Sequence, residues 1–202
     1  MAKNTPNLTK SNLTRARNIL FEVTKLLDDN AIVYHLEGGT LLGIVRDKDL
    51  LPWDHDVDIS IPARHAADFL KLKTALFFQG YKMSVRKSKQ DIGAVKKGDY
   101  SVFKIKPIWS YMLSWFSPNH KHAIVLDVFV KTDDGQHTYW QAMDKVMRVD
   151  KKYYHSFETV PYLGNTLKVP NQHKDYLTEK YGDWSVPIKE WDCSTDERTV
   201  IK

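Results

Sequence analysis

The chain has 202 residues and a mass of 23.5 kDa, room for one ordinary domain, and its 42% hydrophobic content with six Trp, ten Tyr and eight Phe is ample for a core. A formal charge of +5 and a pI near 9.1 suit anionic substrates, nucleic acid or an anionic membrane, and do not choose among them. The lone Cys193 excludes a disulfide framework and a cysteine zinc site, the polar N-terminus is no signal peptide, and the apolar stretch from Ile105 to Phe116 is too short and too interrupted to span a bilayer. The expectation is a cytoplasmic protein with a flexible segment over 1–8, a single domain over 9–190 and a tail over 191–202.

In chain order, Leu13, Ala16, Leu20, Val23 and Leu27 recur at helical spacing and predict a helix from Thr9 to Asp29. A strand from Ala31 to Leu36 leads into Glu37-Gly38-Gly39-Thr40, with a short helix over Thr40 to Arg46. A loop delivers the chain to an aspartate-bearing strand ending at Pro62. A second amphipathic helix runs from Ala63 to Gln79, stopped by Gly80. Strands follow over Tyr81 to Val85, Tyr100 to Ile105 and Ala123 to Val130, with turns at Gly98 and Asp133-Asp134-Gly135. A hairpin turns at Gly164-Asn165, and a final helix spans His173 to Tyr181. The pattern is α+β (mixed α/β), with a central mixed β-sheet flanked by helices.

The densest information lies in Leu51-Pro-Trp-Asp-His-Asp-Val-Asp-Ile-Ser-Ile61. Asp54, Asp56 and Asp58 alternate with strand formers, so an extended segment places the carboxylates on one face and Val57, Ile59 and Ile61 on the other. Two unit charges about 5 Å apart repel by roughly 3 kcal/mol at an effective dielectric near 20. Protons or a hard cation such as Mg²⁺ or Mn²⁺ must offset that repulsion. Asp127 sits in the apolar run Ala-Ile-Val-Leu-Asp-Val-Phe-Val, read as a central strand, where a lone carboxylate is costly unless paired or metal-bound. Gly38, Gly39 and Thr40, between strand and helix, could cradle a phosphate on backbone amides. Lys104 and Lys106, on one face of a strand, could counter phosphate charge. His55 should face away from the acids.

The arrangement of a glycine turn, an Asp-x-Asp strand and a third acid on a later strand is that of a nucleotidyltransferase-like palm. The stretch from Gly38 to Arg46 followed by Leu51 to Ile59 closely resembles the signature of the LicD/fukutin family. Leu126-Asp127-Val128-Phe129, Val169-Pro170-Asn171, Tyr176-Leu177 and Tyr181-Gly182-Asp183-Trp184 resemble its later blocks in the same order. This resemblance implies a metal-dependent phosphotransferase that moves a phospho-substituent, such as phosphocholine or an alditol phosphate, from a CDP-activated donor to a hydroxyl of a glycan or lipid-linked glycan. It assigns Asp56, Asp58 and Asp127 as catalytic and metal-binding, with Asp54 as a supporting or alternate ligand. Gly39 and Thr40 would hold the diphosphate, and Arg46 would meet a phosphate or pair with a site carboxylate. Two departures stand out: His55 replaces an Asp common in relatives, and Asp49 stands where many have Gly.

Two other functions compete. One is transfer of a nucleoside monophosphate to a protein, sugar or small molecule by the same site. The other is a basic nucleic-acid-binding module, for which no binding motif is present, so no nucleic acid is expected. The aromatic run Trp109, Tyr111, Trp115 and Phe116 suits core packing first, and otherwise an acceptor pocket or peripheral contact with the inner membrane face. His120 and His122 lack a third ligand and read as a solvated loop.

Overall fold

The computed structural model describes residues 7–8, 11–109, 124–142, 145–189, 191 and 195–201. Tyr111, Trp115, Phe116, His120, His122 and Cys193 lie outside them. Helix α1 (Ser11–Asp29) buries Ala16, Ile19, Leu20, Val23 and Leu27, the stripe its spacing predicts. It ends with Ala31 in the left-handed region at φ 54°. The Ala31 N–H donates to Asp28 O and the Ile32 N–H to Leu27 O, a Schellman closure. That closure consumes the start of the expected strand, and only His35–Leu36 (β1) pairs.

Helix α2 (Gly38–Arg46) starts two residues earlier than predicted, so both glycines lie in its first turn. Strand β2 (Asp56–Pro62) carries Asp56 and Asp58, but Asp54 lies in the turn before it. The single helix expected over Ala63 to Gln79 is instead a 3₁₀ turn, α3 (Ala66–Lys71) and α4 (Lys73–Phe78). The break falls at Leu72, whose N–H donates to Phe69 O three residues back, a tightening that side-chain spacing does not mark.

Strands β3 (Tyr81–Lys87), β4 (Tyr100–Pro107) and β5 (Val125–Asp133) follow, each longer than predicted. Strands β6 (His137–Ala142) and β7 (Lys145–Asp150) were not anticipated. The main sheet has the order β1-β2-β5-β4-β3, with β6 joining β5 to β7. Among the described strands, only β2 and β5 pair in parallel, so the sheet is mixed, as expected. Strand β5 is central, which explains its apolar character on both faces. One face packs under α1, α3 and α4, with Phe69 edge-on to Phe103 at 5.0 Å between centroids.

Strands β8 (Phe157–Tyr162) and β9 (Asn165–Pro170) form the predicted hairpin. Leu163 and Gly164 take φ 49° and 80°, the two positive values of a type I′ turn. Helix α5 (His173–Tyr181) matches its predicted bounds. The last described residues return to β7, where the Arg148 N–H donates to Thr199 O at 2.8 Å and the Ile201 N–H to Val146 O at 2.9 Å. Near the other end, Leu8 is buried and its N–H donates to Asp54 O at 2.9 Å. Among the described residues, no helix is long and apolar enough to cross a membrane.

Candidate active site

The parallel pairing of β2 and β5 sets Asp58 opposite Asp127 and Asp56 opposite Val125. Asp56 and Asp58 are two residues apart and share a face of the pleat. Oxygens of Asp56, Asp58 and Asp127 all lie within 4.8 Å of one another. Burial pushes the Asp56 carboxyl up to about 7, aided by the charges of Asp54 and Asp127. Burial and then the charges of Asp56, Asp127, Asp54 and Glu37 push Asp58 well above the usual carboxylate range. Asp127 is 6% exposed; one oxygen pairs with the Lys104 ammonium, and the other, Oδ1, is buried without a hydrogen-bond partner.

Three converging carboxylates with one orphaned buried oxygen form an all-oxygen donor set, which fits a hard divalent cation. Asp54 lies outside this trio. It is hydrogen-bonded to Asp56, and burial raises its carboxyl. Its Oδ1 accepts from the His55 N–H at 2.9 Å.

The glycine turn is fitted to these acids. A Cβ on Gly39 would lie 2.0 Å from Asp54 Oδ2, and one on Gly38, at φ +56°, would lie 2.6 Å from Asp58 Oδ2. Only glycine allows carboxylates that close to a helix start. Thr40 is buried and ties the two elements together, its Oγ1 accepting from the Asp58 N–H at 2.9 Å. The Glu37 N–H donates to Asp58 O at 3.1 Å, so Asp58 is held on both sides. The N-terminal end of α2, with its positive dipole end, therefore abuts the carboxylates, and its Gly38 N–H donates to Glu37 Oε1 at 3.1 Å.

Arg46 reaches no site carboxylate. It makes a two-pronged pair with Asp47 at 2.7 and 2.9 Å, and its Nη1 donates to Trp184 O at 3.2 Å. Lys104 is engaged by Asp127, and the neighbouring Lys106 is half-buried, its ammonium lowered by burial and by the Lys104 charge. Asp49 has its own partners here: it pairs with Arg17 and accepts from Tyr162 OH at 2.5 Å, which fixes the loop before the aspartates.

Beneath the turn lies a charged cluster that sequence reading missed. Glu37, the residue preceding α2, is 1% exposed. Its carboxylate meets Lys131 at 2.8 Å and Lys180 at 3.3 Å, and accepts from Tyr176 OH at 2.5 Å. Lys180 also pairs with Glu197 at 3.1 Å, and Lys131 stands 3.1 Å from the Trp140 ring centroid. Burial lowers the Lys131 ammonium to about 7 despite the Glu37 charge; the two lysines hold Glu37 below the usual carboxylate range. The one available signal was Lys131 itself, a cation ending the apolar run Leu126-Asp127-Val128-Phe129-Val130. Through Tyr176 to Glu37 and Trp184 to Arg46, the C-terminal block supports the turn from behind.

The family model described as LicD/FKTN/FKRP, nucleotidyltransferase domain, matches residues 31–172. The chain belongs to this family. It is 27% identical over 192 residues to ribitol-5-phosphate transferase FKTN of Mus musculus, covering 92% of this chain and 36% of that protein. It is 22% identical over 160 residues to ribitol 5-phosphate transferase FKRP of Homo sapiens, covering 79% of this chain and 30% of the relative. A third relative, lipopolysaccharide cholinephosphotransferase LicD of Haemophilus influenzae, is 30% identical over 82 residues, 41% of this chain and 30% of its own. The chain thus spans about a third of the length of the curated relatives it matches. Among solved structures, the lincomycin-bound lincosamide antibiotic adenylyltransferase LnuA aligns over 85% of each chain at 18% identity and a TM-score of 0.47, too distant to speak to function.

Proposed function

We propose that the chain is a metal-dependent phosphotransferase that moves a phospho-substituent from a CDP-activated donor to a hydroxyl of a glycan or lipid-linked glycan. The observation that carries this is the Asp56–Asp58–Asp127 trio against the glycine-led start of α2. The names of the relatives, ribitol phosphate and choline phosphate transferases, support the class of group moved.

Asp56, Asp58 and Asp127 would hold Mg²⁺ or Mn²⁺, which would supply charge neutralisation for the diphosphate and a lowered pKa for the attacking hydroxyl. The first turn of α2 would offer the diphosphate its positive dipole end and the backbone N–H groups of Gly39 and Thr40, the Gly38 N–H being held by Glu37. Asp127 takes the hydroxyl proton as that oxygen adds in line to the distal phosphorus. The bond from that phosphorus to the bridging oxygen breaks, and CMP leaves with the bridging oxygen. Lys104, paired with Asp127, would offset charge that develops on the transferred group. Arg46, committed to Asp47, shapes the loop between α2 and β2 instead of contacting phosphate.

A thermal-shift screen of CDP-choline, CDP-ribitol and CDP-glycerol, with and without Mg²⁺, tests the reading. Stabilisation by one CDP donor that requires the metal supports it. No metal-dependent stabilisation by any of them, alongside salt-sensitive DNA or RNA binding, would overturn it.

A further inference from the structure

Strands β3 and β4 carry Lys82, Arg86, Lys87, Lys104 and Lys106 and no acid. Register sorts these side chains by face. Ser84 lies opposite Lys104, Lys104 opposite Asp127, and Asp127 opposite Asp58. Cross-strand partners share a face of the pleat, so these four form one row across the sheet. Lys106 on β4 and Arg86 on β3 flank that row, one pair to either side, on the same face. Met83, Phe103 and Ile105 alternate with them and are buried in the core on the other face.

Little carboxylate serves the cations on the row's face. Asp127 pairs with Lys104, and the same charge reaches Lys106. Lys106 also feels Arg86, which is exposed and has no carboxylate partner among the described residues. Lys82 has a partner of its own, and Lys87 lies over the Tyr100 ring at 5.0 Å. Lys104, Lys106 and Arg86 thus depend on one acid, which the proposed reaction also assigns to a metal ion. An anion placed among them would relieve their mutual repulsion and accept charge-assisted hydrogen bonds.

The order of the sheet says which ligand meets this face. Helix α2 follows β1, and its Gly38 lies against Asp58 of β2, so the diphosphate-binding turn is on the β1–β2 side of the trio. In-line transfer puts the attacking oxygen opposite the leaving diphosphate. That side is Asp127 on β5, with β4 and β3 beyond it. At about 4.8 Å between strands, the row reaches Ser84 roughly 10 Å from Asp127. An acceptor whose hydroxyl stands at Asp127 therefore extends over Lys104 and Ser84, between Lys106 and Arg86.

We propose that the β3–β4 face, with Arg86 and Lys106 as its anion-binding residues, holds an acceptor sugar that itself carries a phosphate or carboxylate group. That this anionic sugar is the acceptor rests on the proposed transfer reaction; the binding face itself does not.

Isothermal titration in Mg²⁺ at low salt tests the face without donor or turnover. The probes are mannopentaose with and without one phosphate monoester, and pentagalacturonate with and without methyl esterification. At least one anionic probe should bind about tenfold or more tightly than its neutral counterpart, and which one does so identifies the anion. Arg86→Gln and Lys106→Gln should each weaken that probe by about fivefold, with neutral probes unaffected and unfolding temperatures near that of the wild type. Arg86→Lys should recover part of the loss, as a charge without the guanidinium fork. Equal or absent binding of anionic and neutral probes would overturn the proposal, as would an undiminished preference in both glutamine variants. So would variants that keep the preference but lose metal-dependent stabilisation by a CDP donor, which would assign these cations to the donor. A preference that depends on Arg86, without any metal-dependent CDP stabilisation in the wild type, would support the face and count against the transfer reading.

Discussion

Asp58 and Asp127 face each other across the only parallel strand pair among the described strands, and Asp56 adds a third carboxylate on the same face. Among the described residues, Lys104 pairs with Asp127, and Lys106 is close enough to feel the Asp127 charge. The fold holds this arrangement at a cost in its own stability, and the cost is measurable.

The Asp58 carboxyl is raised by burial and by its acidic neighbours, so the folded state keeps a proton that the unfolded chain releases above about pH 4. Metal-free stability should therefore fall as pH climbs above that value. Asp58→Asn removes this loss, and in chelator at neutral pH it should be more stable than the wild type by about 1 kcal/mol or more, roughly 2–4 °C in unfolding temperature. The same variant should lose the stabilisation of about 2.7 kcal/mol expected from a cation at a hundred times its Kd. Calorimetry with and without Mn²⁺ checks both halves; a variant less stable in chelator contradicts the first.

Proton and cation compete for Asp56, raised to about 7 by burial and by Asp54 and Asp127. Below that value a proton must leave before metal binds, so affinity should fall by about tenfold or more per pH unit. Isothermal titration with Mn²⁺ at about pH 6 and about pH 8 measures this, and equal affinities would sink the assignment.

The Glu37 cluster should behave as a unit. Glu37→Gln leaves Lys131 and Lys180 buried without their shared carboxylate, a loss of ~3–5 kcal/mol. That corresponds to roughly 6–20 °C in unfolding temperature. Adding Lys131→Met should recover part of it. A change of less than about 2 °C in the single variant would show that the cluster does not support the turn.

Gly39 is small because Asp54 occupies the space a side chain would need. Gly39→Ala should destabilise by ~1–3 kcal/mol through overpacking. In Gly39→Ala/Asp54→Ala the two effects should couple by ~0.5–3 kcal/mol. Additive losses in the unfolding free energies would show that the glycine answers to something else.

The sequence revealed what local patterns encode. Alternation around Val57 and Ile59 marked the strand, the apolar run around Asp127 marked a central one, and Gly164 marked a hairpin. Two kinds of feature escaped. Strand β7 carries the charged residues Lys145, Arg148 and Asp150, which interrupt alternation, and β6, which pairs with it, is anchored to the sheet only through β5. The partners of Glu37 come from positions 131, 176 and 180, and no local pattern encodes a contact across more than ninety residues. Asp54 was placed on the strand because alternation cannot show that pairing begins only at Asp56.

The most direct test is mass spectrometry of a glycan acceptor incubated with a CDP-linked donor and Mg²⁺, with free CMP measured in parallel. The account predicts an acceptor heavier by the phospho-substituent, one CMP released per transfer, and neither product with Asp56→Ala or in chelator. An acceptor heavier by a whole nucleotide, or full turnover in Asp56→Ala, would contradict it.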